Sequence, residues 1–172
     1  MKTKEEMILI SHRGNTNGIF ESWENEPTYI DKAIKDGYDV EIDVWYEKGK
    51  PSKYTESGYS PGIIYLGHDK PLYGIDFRWI RDRFPRLWIH CKNVEAVEFF
   101  SSCGYPLNYF WHQTDDIALT SLKHIWTYPG KPINNGAIAV LPELHPGWDI
   151  SEAGGVCSDY IENYKQLKNK KI

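Results

Sequence analysis

The chain has 172 residues, with 20 Lys and Arg against 24 Asp and Glu, a net charge of −4 and a pI of about 5.9. This balance argues against a broad basic surface, so we expect no nucleic-acid partner. The length favours one domain over residues 1–172. Three cysteines without a C-x-x-C pattern, no apolar run long enough to span a bilayer and no apolar leader together predict a cytoplasmic protein with free thiols.

Short buried strands alternate with helices along most of the chain. Pro27 and Gly37 mark the beginning and end of the first helix, and residues 46–62 are expected to form a hairpin-like excursion. The alternation predicts an α/β fold, an abbreviated TIM-type (β/α) barrel. Because a full barrel takes about 250 residues, several outer helices must be missing or reduced to loops. In chain order, we predict strands at 7–10, 38–45, 63–66, 87–91, 108–111, 124–127, 137–141 and 156–158, and helices at 27–35, 76–84, 94–103 and 160–168.

The second predicted strand carries two carboxylates, Glu41 and Asp43. Side chains two residues apart on a strand point to the same face, so both carboxylates project together while Val40, Ile42 and Val44 project the other way. Two buried like charges repel unless a cation lies between them. The pair therefore predicts a site for a hard divalent metal such as Mg²⁺ or Ca²⁺.

Titratable residues also end four other predicted strands, and parallel strands place ligands at their carboxyl ends. Arg13 and Lys92 would bind a phosphate group, while His12 and His68 would exchange protons as general acid and base. Together with a metal, such a set suits the cleavage of a phosphodiester. The residues that end these strands are His12 with Arg13, His68 with Asp69, His90 with Lys92, and His112.

In this respect the chain resembles the glycerophosphodiester phosphodiesterases, a family of the PLC-like phosphodiesterase barrels. The resemblance implies that His12 and His68 are the acid–base pair, that Glu41 and Asp43 bind the metal, and that Arg13 contacts phosphate. The motifs that carry it, in family order, are His12-Arg13-Gly14, Glu24-Asn25, Glu41-Ile42-Asp43, His68-Asp69 and Gly155-Val156-Cys157-Ser158-Asp159.

The chain departs from the family pattern on the strand at 87–91. The family has Glu-x-Lys there, whereas this chain has His90-Cys91-Lys92. His90 as third ligand would favour Mn²⁺ or another transition metal. Glu143 is an alternative source of the third oxygen. His112 is grouped with Arg13 and Lys92 as a residue that contacts the phosphate or the rest of the substrate.

The expected function is metal-dependent hydrolysis of a small glycerophosphodiester-like substrate. Two alternatives remain open, namely a barrel that binds a phosphorylated ligand or metal without turnover, and a lyase that forms a cyclic phosphate. Arg13 and Lys92 could also pair with the two strand carboxylates in a metal-free site. Among other residues, Asp115 and Asp116 could cap a helical turn, and Trp111 and Trp126 are expected to pack inside the barrel.

Overall fold

The computed structural model describes residues 6–49 and 62–168 of the chain. Within these ranges one sheet contains all ten strands, and the helices are few and short. The strands are β1 (Ile8–His12), β2 (Asp39–Lys48), β3 (Gly62–Leu66), β4 (Tyr73–Ile75), β5 (Leu87–Cys91), β6 (Asn108–Trp111), β7 (Ile117–Leu119), β8 (Ile125–Thr127), β9 (Ile138–Val140) and β10 (Gly155–Ser158). The α-helices are α1 (Pro27–Lys35), α2 (Phe77–Arg81), α3 (Val94–Ser102) and α4 (Lys165–Lys168), and 3-10 turns span Phe84–Arg86, Pro142–Leu144 and Ile161–Tyr164.

Seven parallel strands lie side by side in the order β6-β5-β2-β1-β10-β9-β8. Three further strands are antiparallel to their partners: β7 to β8, β3 to the second half of β2, and β4 to β3. In the described ranges no ladder joins β6 to β7. Ser121, in the turn after β7, is nevertheless bonded to β6, because its N–H donates to the Tyr109 carbonyl at 2.8 Å and its Oγ accepts from the Tyr109 N–H at 2.9 Å. The chain is therefore a mixed α/β protein built on a ten-stranded sheet.

The two faces of β2 separate the core from the polar site, as the sequence predicts. Val40, Ile42 and Val44 are completely buried and pack with residues of α1, α2 and α3. Burial of each such side chain contributes about 1.5–3 kcal/mol. Glu41 and Asp43 project to the opposite face, where the inner side chains of β1, β5, β6, β8, β9 and β10 form a second core cluster.

Side-chain caps fix the helices that cover the sheet. Glu26 accepts a hydrogen bond from the Tyr29 N–H at the start of α1, and Asp76 caps α2 by accepting from the Arg78 N–H. Asn93 caps α3, and its amide also exchanges hydrogen bonds with the backbone of Tyr46. This double role of Asn93 locks α3 against β2, so the helix holds the strand that carries the two carboxylates.

Several sequence predictions differ from the structure in detail. β4 and β7 were not predicted. The helix predicted at 76–84 ends at Arg81 because a 3-10 turn containing Pro85 follows, and the helix predicted at 160–168 is a 3-10 turn plus α4. Residues 46–48 continue β2 instead of beginning the excursion, and positions 50–61 lie outside the described residues.

The structure also differs from two predictions about single side chains, one acidic and one aromatic. Asp116 does not cap a helix, because its carboxylate pairs with Lys131 at 2.6 Å and its carbonyl accepts from the Tyr128 N–H. Trp126 is buried as expected, but Trp111 is 38% exposed and does not pack in the interior.

No helix in the two described ranges combines the length and the apolar character needed to cross a membrane.

Candidate active site

A cavity of about 280 Å³ opens at the carboxyl ends of the parallel strands. It gathers seven of the eight residues that the sequence singles out, and the eighth, Asp43, lies directly behind its wall. The lining residues are His12, Arg13, Glu41, His68, His90, Lys92, His112, Gln113, Trp126, Tyr128, Val140 and Leu141. Polar side chains that are far apart in sequence, from His12 to Tyr128, therefore face one space.

His68 reaches this cavity by a route that differs from the expected one. It follows β3, which runs antiparallel to β2, so it does not lie at the end of a parallel strand. β2 continues past the carboxylates to Lys48, and β3 returns along it until Leu66 lies opposite Val44. The Gly67 N–H then donates to the Asp43 carbonyl at 3.1 Å. This returning hairpin brings His68 to the mouth of the cavity.

Asp43 is completely buried and lies among three cationic side chains. Its carboxylate is 3.0 Å from Arg13 Nε, 3.2 Å from His90 Nδ1 and 3.4 Å from Lys92 Nζ, and it accepts a hydrogen bond from Asn25 Nδ2 at 2.9 Å. Burial alone would raise the pKa of Asp43. The hydrogen bond from His90 and the charges of Arg13 and Lys92 outweigh burial and hold that pKa well below its usual range. Asp43 is therefore ionised at all physiological pH values.

Glu41, Asp43 and His90 form a group that can hold a metal ion. Each offers one ligand atom, and these atoms all lie within 4.8 Å of one another. Glu41 Oε2 is buried and accepts no hydrogen bond in the described part of the chain. A buried carboxylate oxygen is costly unless a donor or a cation binds it, so the donor set fits a divalent metal.

His90 occupies the position of the expected third carboxylate. Its ring stacks on Phe110 with 5.0 Å between centroids, and its Nδ1 lies 3.6 Å from Glu41 Oε1. Burial would lower the pKa of His90, but the hydrogen bonds to Asp43 and Glu41 raise it to about 9. Glu143 is not part of this group, because its Oε1 accepts hydrogen bonds from Ser158 Oγ and the Asp159 N–H at 2.9 Å.

His12 is oriented by Asp159, a residue to which the sequence argument gave no role. His12 Nδ1 lies 2.8 Å from Asp159 Oδ1, which leaves Nε2 facing Glu41 Oε2 at 3.9 Å. Burial lowers the pKa of His12, but the hydrogen bond to Asp159 and the charge of Glu41 reverse this effect and raise it above its usual value. The contact arises from the β1–β10 register, which pairs Ser11 with Ser158.

Asn15 and Glu24 extend this contact into a hydrogen-bonded network that also escaped the sequence argument. Asn15 Nδ2 donates to both Asp159 Oδ1 and Glu24 Oε1 at 2.8 Å, and Glu24 Oε2 accepts from Arg13 Nη1 at 3.0 Å. One continuous set of hydrogen bonds therefore fixes the side-chain orientations of both His12 and Arg13. The only sequence signal for it was the Glu24-Asn25 motif.

The remaining predicted residues differ in exposure. His112 stacks on Tyr128 with 3.6 Å between ring centroids, and this pair forms one wall of the cavity. His68 is the most accessible of the site histidines, with 39% of its side chain exposed, and its Nδ1 lies 2.7 Å from Asp69 Oδ1. Tyr128 and Gln113 were not predicted as site residues.

Comparison of the chain with models of protein families, with curated proteins and with solved structures finds no match. The function of the chain is therefore inferred from the geometry of the site itself.

Proposed function

We propose that this protein is a metal-dependent phosphodiesterase that cleaves a small, glycerophosphodiester-like substrate. The observation that carries the proposal is the convergence on one cavity of two histidines, His12 and His68, with a Glu41–Asp43–His90 group and the cations of Arg13 and Lys92. Each of these features alone has a structural explanation. Their combination supplies every group that cleavage of a phosphodiester needs.

Glu41, Asp43 and His90 would hold the metal. A bound divalent ion would act as a Lewis acid that stabilises negative charge on the phosphoryl oxygens. Arg13 is fixed in direction because its Nη1 is bonded to Glu24 and its Nε faces Asp43, so it orients an anionic substrate. Lys92 adds a second positive charge at the same wall of the cavity.

His12 and His68 would move the protons. Because Asp159 binds Nδ1 of His12, the lone pair or proton at Nε2 is directed into the site. We assign to His12 the removal of the proton from the attacking water or substrate hydroxyl. His68, at the accessible mouth of the cavity, would donate its proton to the alkoxide that leaves.

We further propose that the sheet is the wall of an abbreviated TIM-type (β/α) barrel. Two observations support this interpretation. The inner side chains of six strands pack on one another, and Ser121 hydrogen-bonds to β6 across the interval between β6 and β7. The outer helices α1, α2 and α3 cover β2, β3 and β5, in keeping with the reduced set of helices that the chain length implies.

A second candidate function is binding of a phosphorylated ligand without turnover. It is favoured by the ion pairs of Asp43, since Arg13, Lys92 and a protonated His90 already compensate the two carboxylates. In that case the site would need no metal, and an anionic ligand would bind to the N–H groups of Arg13 and Lys92 that face the cavity.

Activity measurements on two substrates separate these functions. Bis(p-nitrophenyl) phosphate has a leaving group that needs no proton, whereas glycerophosphocholine releases an alkoxide and carries a neighbouring hydroxyl. We expect both to be cleaved in the presence of Mg²⁺, Mn²⁺ or Ca²⁺ and neither in EDTA. His12→Ala should lower kcat about 100-fold or more on both substrates. His68→Ala should lower kcat mainly on glycerophosphocholine.

His145→Ala is the matched control, because His145 is exposed and does not line the cavity. Its activity should equal that of the wild type. Phosphorus NMR of the glycerophosphocholine products distinguishes hydrolysis from formation of a cyclic phosphate. Absence of turnover with every metal, together with saturable binding of inorganic phosphate, would refute the enzyme and support the binding protein.

A further inference from the structure

The exposed large hydrophobic side chains are distributed unevenly between the two ends of the sheet. Within the described ranges, only Tyr105, Leu119 and Leu122 lie at the amino-terminal end of the parallel strands. The others lie at the carboxyl-terminal end, where the candidate active site opens. Single exposed hydrophobic residues are normal, whereas their concentration in one region marks an interaction surface. Six of them form what we call the apolar rim, namely Ile19, Phe20, Trp23, Leu72, Leu144 and Tyr160.

The longest part of the apolar rim is the segment Ile19–Trp23, which is bonded directly to the site. The Phe20 N–H donates to Asn15 Oδ1 at 3.2 Å, and the N–H groups of Trp23 and Glu24 both donate to the Phe20 carbonyl. Asn15 and Glu24 belong to the hydrogen-bonded network of the site. The three hydrophobic side chains of the segment are 53–54% exposed. They therefore project into solvent from a turn that the wall of the cavity holds in place.

The other three rim residues lie around the same opening on different loops. Leu144 ends the 3-10 turn that follows β9. Leu72 lies against the turn that follows β3, because its N–H donates to the last carbonyl of that strand at 2.9 Å. The rings of Tyr160 and Phe20 are neighbours, since both lie within 4 Å of the position that a Cβ on Gly18 would take. The rim is therefore built by loops that follow β1, β3, β9 and β10.

The position of the apolar rim restricts what can bind to it. The rim surrounds the opening through which a phosphodiester would enter, so its occupant has to leave that opening free. A lipid layer meets this condition, because its acyl region accepts the hydrophobic side chains while its headgroups carry phosphodiesters to the cavity. A folded partner on the rim would cover the opening instead. Trp and Tyr are also the side chains that favour the boundary between lipid and water.

The charges beside the apolar rim indicate the kind of lipid. Glu21 is exposed in the middle of the first segment, and Asp69, with 90% of its side chain exposed, lies next to the exposed Lys70. The cations of the site, Arg13 and Lys92, are paired with carboxylates inside it. Attraction to an anionic layer depends on clusters of exposed Lys and Arg, so this balance of charges favours a zwitterionic layer.

We propose that the apolar rim binds the surface of a zwitterionic lipid layer, and that the phosphodiester cleaved in the site belongs to a lipid of that layer. The second half of this inference rests on the proposed phosphodiesterase function, whereas the first half does not. Insertion of the rim side chains brings the opening of the cavity against the headgroups, so a substrate with an acyl chain reaches the site at high local concentration. The chemical step is the one proposed above.

Binding to vesicles tests the first half without any turnover. The full-length protein is sedimented in EDTA with sucrose-loaded vesicles of phosphatidylcholine. We expect the wild type to bind saturably, without a gain when phosphatidylglycerol is added, and the combined Ile19→Ser and Phe20→Ser variant to bind about tenfold more weakly or less. Leu144→Ser, on a separate loop, should weaken binding in the same direction. Leu119→Ser is the matched control, because it removes an exposed leucine at the other end of the sheet, and it should bind as the wild type does.

Two substrates that differ only in one acyl chain test the second half. Lysophosphatidylcholine and glycerophosphocholine share the same phosphodiester and the same neighbouring hydroxyl. With Mn²⁺ present, the wild type should show a kcat/KM about tenfold or more higher on lysophosphatidylcholine, because the acyl chain adds binding energy and holds the substrate in a layer.

The possible results separate the two halves. Absence of binding to phosphatidylcholine vesicles, or equal binding by the wild type and the double variant, would overturn the lipid surface. A dimer that dissociates on the double substitution, measured by analytical ultracentrifugation, would assign the rim to a second copy of the chain. Equal kcat/KM values on the two substrates would overturn the lipid as substrate. Rim-dependent binding without cleavage of either substrate would support the lipid surface and refute the phosphodiesterase.

Discussion

Replacing His90 with glutamine should flatten the pH dependence of stability of the metal-free protein. The pKa of His90 is about 9 in the folded chain, against 6.5 for an unperturbed histidine, because Asp43 and Glu41 bind the protonated ring. Protonation therefore stabilises the fold. The stabilisation is fully present below pH 6.5 and is lost as the pH rises through 9. Glutamine can still donate a hydrogen bond to the carboxylates but does not titrate.

The expected magnitude follows from the two pKa values. Their separation corresponds to about 3 kcal/mol, which is a substantial part of the roughly 5–15 kcal/mol stability typical of a domain. Unfolding by urea, measured in EDTA at about pH 6 and about pH 9.5, gives the free energy of unfolding of each protein. We expect the difference in free energy of unfolding between the wild type and His90→Gln to decrease by about 3 kcal/mol from the lower to the higher pH.

An exposed histidine provides the control for this measurement. His145→Gln makes the same substitution at an exposed position outside the site, so its free energy of unfolding should follow that of the wild type. The reasoning would be refuted if the wild type and His90→Gln changed stability in parallel between the two pH values. In that case His90 would not be the cation that holds the two carboxylates together.

Two further predictions concern the backbone and the thiols. Gly14→Ala should destabilise the fold by about 1–3 kcal/mol more than Gly136→Ala. Both glycines have positive φ, but a Cβ at Gly14 would lie 2.6 Å from the ring of Tyr29, whereas nothing lies within 4 Å of a Cβ at Gly136. Equal midpoints of urea unfolding for the two variants would contradict the clash with Tyr29. Burial raises the pKa of Cys91 to about 12 and that of Cys157 well above its usual value. A thiol reagent at pH 8 should therefore modify only Cys103 rapidly in the native protein. In denaturant it should modify all three cysteines. Rapid modification of three thiols in the native state would show that the two buried strands open readily.

The longer buried strands and the position of the acidic pair could be predicted from the sequence. Continuous apolar runs bounded by Gly, Pro and polar residues located β1, β2, β5 and β6, and the two-residue period placed Glu41 and Asp43 on one face. β4 and β7 were missed, although β8 and β9 also have three residues and were predicted. β4 and β7 lie at the two ends of the strand order, and each forms only by pairing with a neighbour, β3 or β8.

Contacts between distant segments account for what the sequence did not predict. Asp159 meets His12 only because β10 lies beside β1, and the register of that pairing is a property of the whole sheet. The direction of β3 could not be deduced either, since a strand next to β2 can be parallel or antiparallel with the same apolar pattern. His68 was therefore placed in the site by an argument that assumed the wrong strand direction.

Anomalous diffraction from crystals soaked in Mn²⁺ and inorganic phosphate tests the central claim most directly, because it locates a metal without any assumption about the substrate. The account predicts one strong peak within about 2.0–2.3 Å of ligand atoms from Glu41, Asp43 and His90, with phosphate beside Arg13 and Lys92. The soaked wild type should show this peak, and Asp43→Asn should lose it. The account would be contradicted if the site bound no manganese and kept the His90–Asp43 ion pair of 3.2 Å. It would also be contradicted if the manganese ion were bound elsewhere in the chain.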